Sequence, residues 1–114
     1  MDFDIELRFQ ELTKKLEDVF GGGMDTQAIL FLIGVQELGL GYREFSKQEK
    51  TDLLHIAVCT LLEPHGYYKF EARDLENWPH FTLLKPLPEL TENEQQHLIK
   101  EAILDYFEQN EIVY

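Results

Sequence analysis

The chain has 114 residues, 44% apolar and 28% charged, which suits one globular domain over 1–114 with a core of its own and excludes a disordered segment. Its 22 acidic residues against 10 basic leave a formal charge of -12, which keeps the chain soluble and repels phosphate backbones, so nucleic acid is not an expected partner. One cysteine, Cys59, allows no intrachain disulfide, the start at Met1–Glu6 carries no signal-peptide pattern, and the longest apolar run, Ala28–Val35, is far shorter than the ~20 residues that span a bilayer. Cytoplasm without membrane contact is the expected setting.

Ile5, Phe9, Leu12, Leu16 and Val19 share one helical face, with Glu6, Arg8, Glu11, Lys14, Lys15 and Asp18 opposite. This predicts a helix near 4–20 that Gly21, Gly22 and Gly23 end. Asp25 suits the N-cap of a second helix near 26–39, closed by Gly39 and Gly41. Its first two turns are apolar all round, as in a central core helix or half of a subunit interface. Ser46 and Glu49 form a capping box opening a third helix near 47–63, which Pro64 and Gly66 terminate. A second box, Thr91 and Glu94, opens a fourth near 92–109, with Leu98, Ile99, Ala102, Ile103, Tyr106 and Phe107 as its apolar stripe.

Between the third and fourth helices the apolar period falls to two, which predicts an antiparallel hairpin with strands near 67–73 and 78–84 around a turn at Asp74–Asn77. If Arg73 and Trp78 close the turn, Phe70 faces Phe81 and Tyr68 faces Leu83 on one side, and Glu71 faces His80 on the other. Pro79 then opposes Ala72, where its missing N–H is not needed. A lone hairpin is marginal in water, so its Phe70/Phe81 face needs a helix beneath it. The fold class is α+β.

Three segments, Phe31–Gly39, Lys50–Tyr68 and Trp78–His80 (FLIGVQELG, KTDLLHIAVCTLLEPHGYY and WPH), resemble a family of small uncharacterised bacterial proteins. The resemblance covers roughly Asp25 to Phe107 and implies the same helical core pattern. It implies no activity, cofactor or catalytic residue. A glycine often stands there where this chain has Asn77, and asparagine tolerates the same left-handed backbone.

The chemistry-bearing residues mostly have ordinary explanations. Asp52/His55 and Glu94/His97 repeat a carboxylate-x-x-histidine spacing found in di-metal bundles, yet Glu94 serves the capping box and His97 shares a face with Asn93, Lys100 and Glu101. His55 and Cys59 share a helical face, but a structural zinc needs four ligands and a reactive thiolate needs a positive neighbourhood. A hydrogen-bonded histidine beside a buried cysteine accounts for them. No phosphate loop and no serine nucleophile are present, since Ser46 is a cap. No catalytic, metal or cofactor residue is therefore assigned.

What remains is a cluster on the hairpin and its approach: His65, Tyr67, Glu71, Trp78 and His80. In the stated register Tyr67, Glu71, Trp78 and His80 leave the face opposite Phe70 and Phe81. Exposed aromatics of this kind mark binding surfaces, and a covering helix would instead make Trp78 a core residue. The expected function is a non-enzymatic protein-interaction module, with a second copy of the chain as one candidate partner (a homodimer). The alternative is a small-molecule-binding protein or enzyme in which Glu71 orients His80 for acid–base work.

Overall fold

Each segment with apolar residues at helical spacing is a helix, and the one alternating segment is a hairpin, in the computed structural model, which describes residues 3–110. The order is α1 (Phe3–Phe20), α2 (Thr26–Leu38), α3 (Lys47–Leu62), β1 (Tyr68–Arg73), β2 (Pro79–Leu83) and α4 (Glu92–Gln109). The fold is α+β, with a two-stranded antiparallel sheet between α3 and α4. Both capping boxes form: the Ser46 and Thr91 hydroxyls accept from the Glu49 and Glu94 amides, and those glutamates accept from the cap amides in return. Among the described residues, no helix is long and apolar enough to cross a membrane.

These elements fall into two compact units, α1 with α4, and α2, α3 and the hairpin. In the first, Ile5, Phe9 and Leu16 of α1 are buried, as are Ala102, Ile103, Leu104 and Tyr106 of α4. The Lys100 ammonium donates to Glu6 at 3.0 Å and stands 5.3 Å from the Phe9 ring centroid, and Arg8 pairs with Glu108. Val19, expected on the buried stripe, is 46% exposed. It lies in the last turn before Gly21, whose φ of 98° turns the chain out of the helix.

In the second unit, Leu38, Phe45, Leu53 and Ile56 form a buried cluster, with Phe31, Val35, Trp78 and Phe81 packed against it. At Gly34 the backbones of α2 and α3 come so close that an added Cβ would lie 2.3 Å from the Leu53 carbonyl oxygen. Glycine is required there for room, since its φ is not left-handed.

The hairpin corrects the expected register in its distal half. Tyr68 pairs with Leu83 and Phe70 with Phe81, as alternation implies, but a β-bulge follows Phe70. Ala72, not Glu71, therefore opposes His80, and Pro79 opposes Arg73, not Ala72. The turn also closes one residue further in: the Asp74 amide donates to the Trp78 carbonyl and the Asn77 amide to the Asp74 carbonyl. Asn77 takes φ 72°, completing a three-residue loop of the kind built on a type I turn and a left-handed residue. Phe81 packs on the buried cluster while Phe70, whose ring lies edge-on to it, stays 41% exposed, so the expected cover over the Phe70/Phe81 face is partial.

Candidate functional site

Trp78, the residue just before β2, packs with Phe81 against the Leu38–Phe45–Leu53–Ile56 cluster. Trp78 is thus half-buried, in the covered arrangement rather than the exposed one.

The loop itself is anchored by polar contacts that hydrophobic patterning does not reveal. The Arg73 guanidinium donates to the Glu37 carbonyl at 2.7 Å and the Leu38 carbonyl at 3.3 Å, at the C-terminal end of α2. The Asn77 side-chain amide donates to the same Leu38 carbonyl at 3.3 Å. Helix-terminal carbonyls lack intrahelical partners and carry the negative end of the helix dipole, so a guanidinium satisfies them and opposes that charge at once. Inside the loop, one oxygen of Asp74 accepts from the Glu76 and Trp78 amides and the other meets His80 Nε2 at 2.9 Å. His80, whose bond holds the carboxylate charged, is the first reason the Asp74 carboxyl lies below its ordinary range, and the Trp78 amide is the second. Asp74, not Glu71, is the partner of His80.

Held this way, the hairpin loop and β2 stand across from α3 and leave a groove of about 380 Å³. Glu49, Asp52 and His55 line it from α3, and Asp74, Glu76 and His80 from the hairpin, above Ile56, Trp78 and Pro79. Glu49 is drawn down to about 2, first by the Arg43 guanidinium at 2.7 Å and then by the Ser46 amide. Asp52 accepts from the Gln48 side chain at 3.0 Å. Neither Asp52 nor Glu76 has an ion-pair partner among the described residues.

Of the five residues expected to form a surface, the structure brings Trp78 and His80 together and leaves the rest elsewhere. The Tyr67 ring receives the Lys85 ammonium at 4.6 Å, outside the groove. His65 follows α3, where its amide bonds the Leu62 carbonyl, and Glu71 sits at the bulge. The convergence of four carboxylates escaped sequence reasoning, because Glu49, Asp52, Asp74 and Glu76 come to one groove only through the pairing of α3 with the hairpin. The Asp52/His55 spacing was the one available sign, and its helical face does line the groove.

Cys59 is fully buried, and burial pushes its thiol up to about 11, so it stays protonated at neutral pH and is a poor nucleophile. Its sulfur lies 3.5 Å from His55 Nε2, and the His55 ring meets Tyr68 edge-on. Among the described residues, no group of three or more His, Cys, Asp or Glu side chains is arranged to hold a metal ion. No family model, curated protein or solved structure matches the chain.

Proposed function

We propose that this protein is a non-enzymatic protein-interaction module, and that the groove between α3 and the hairpin is its contact surface. The observation that carries this is the openness of the groove around an anchored tryptophan. The His80 and Asp74 side chains remain 63% and 43% exposed, whereas small-molecule pockets enclose most of their ligand. An occupant that brings its own chain can close such a site, and tryptophan is a frequent anchor of protein contacts. The single free cysteine agrees with a cytosolic setting, and the charge of -12 disfavours nucleic acid. A second copy of the chain is a weaker candidate for this groove, because like charges would face each other across it.

One feature favours the alternative, a small-molecule-binding protein or enzyme: the Asp74–His80 bond is the arrangement by which a carboxylate orients an imidazole for proton transfer. The two readings separate in a paired screen of wild type and His80→Ala, using a peptide array and a metabolite panel read by thermal shift. The module expects peptide binding that survives His80→Ala and is lost in Glu76→Lys, a change at an exposed loop position. A metabolite that stabilises wild type and fails to stabilise His80→Ala overturns it.

A further inference from the structure

Resting on the module reading, we infer that the groove accepts an arginine side chain carried on a segment of a partner protein. Glu49 is engaged by Arg43, whose guanidinium also interacts with the Glu76 charge, and Asp74 by His80, but among the described residues neither Asp52 on α3 nor Glu76 on the loop has a cation within ion-pair distance. The two walls therefore carry four carboxylates against the Arg43 guanidinium and His80, and the groove is complementary to positive charge.

The lining between those walls is apolar: Ile56, Trp78 and Pro79. A small hydrated cation gains little from such a floor. A guanidinium suits it, being planar, weakly hydrated and able to lie against an aromatic ring while its five N–H donors reach carboxylates on either side. The aliphatic stem would cover Ile56 and Pro79, as long basic side chains commonly do on apolar surface. The open walls favour an arginine borne by a chain over a free cation, because the flanking residues supply the contacts that the groove does not enclose.

Trp78 is the chain's one tryptophan, so its fluorescence reports on the groove alone. The full-length protein is titrated at low salt with a capped Gly-Arg-Gly-Arg-Gly peptide, following Trp78 emission and backbone amide shifts. The same is done with versions carrying lysine, glutamine or glutamate at the arginine positions, with spermidine, and with a varied peptide array. The expected result is saturable binding of the arginine peptide with shifts at Trp78, Asp52 and Glu76, weakened by salt as screening requires. Asp52→Asn with Glu76→Gln should weaken it by about tenfold or more, since each removes a facing charge. Glu11→Gln with Asp18→Asn, an equal charge change at exposed positions of α1, should leave it within about twofold on the same grounds.

Equal weakening by both double variants would show attraction to net charge and overturn the assignment. So would glutamine-peptide or spermidine binding as tight as that of the arginine peptide. If another array peptide moves Trp78 while the arginine peptide does not, the arginine inference fails and the module stands. If no peptide moves it, both fail.

Discussion

In the α1/α4 unit, two amphipathic helices meet through stripes of ordinary side chains, cross-linked by Lys100–Glu6 and Arg8–Glu108. In the α2/α3/hairpin unit the backbones themselves come into contact at Gly34, and a loop is tied to a helix end by Arg73 and Asn77. Side-chain stripes tolerate change, because neighbours can shift and partly exposed ion pairs contribute little. A backbone crossing and a polar clamp have far less slack. The unit carrying the groove is therefore the one whose geometry depends on single residues.

Gly34→Ala tests this most severely. Its Cβ would fall 2.3 Å from the Leu53 carbonyl oxygen, a backbone atom, so the helices must separate. A loss of about 3 kcal/mol or more in urea unfolding is expected, at the upper end of overpacking costs. Gly22→Ala, with no neighbour within 4 Å and no left-handed φ, should be nearly silent. Equal effects at the two positions would remove the close crossing from the account.

Arg73→Ala comes next. It leaves the Glu37 and Leu38 carbonyls without the guanidinium, at a cost of about 1–2 kcal/mol for a partly exposed charged hydrogen-bonding group at a helix end. Because the clamp positions the loop, Trp78 emission should also change in the folded state. A stability loss with unchanged emission would confine Arg73 to helix capping.

The capping boxes permit a like-for-like comparison of the two units. Ser46→Ala and Thr91→Ala should each cost about 1 kcal/mol. Only the α3 box has an acid sensitivity sharpened by an outside partner, since Arg43 and the Ser46 amide hold Glu49 down to about 2. A depressed folded-state value means the unfolded chain binds the proton more readily. The stabilisation is therefore complete above the ordinary carboxylate range and fades as pH falls from there toward 2. Stability against pH should show this acid limb in wild type and a shallower one in Glu49→Gln; identical limbs would assign it to other carboxylates.

The smallest effect is expected in the other unit. Lys100→Met keeps most of the apolar stem over Phe9 and removes the ion pair to Glu6, so a change within about 1 kcal/mol should follow. A larger loss would place a rigid polar contact in the α1/α4 unit as well and blur the contrast.

Much of the fold was legible because its signals are local. Apolar spacing located all four helices, and both capping boxes formed where Ser46/Glu49 and Thr91/Glu94 sit three residues apart. Alternation located the hairpin and paired Phe70 with Phe81. Asn77 was marked for the left-handed turn by a short side chain that tolerates it. The candidate site was legible only in part: Trp78 and His80 line the groove, whereas His65, Tyr67 and Glu71 do not.

What tertiary structure alone decided begins with the bulge. One extra residue at Glu71 reverses the side on which later side chains leave the strand, and no pattern within β1 announces it. Arg73 and Asn77 reach a helix end more than thirty positions earlier in the chain, beyond the range of any local rule. Asp52 and Glu76 became neighbours across a groove for the same reason, because the packing of α3 against the hairpin brings distant carboxylates together. The amino-acid order determined the elements through interactions a few residues long, and the site arose where those elements met.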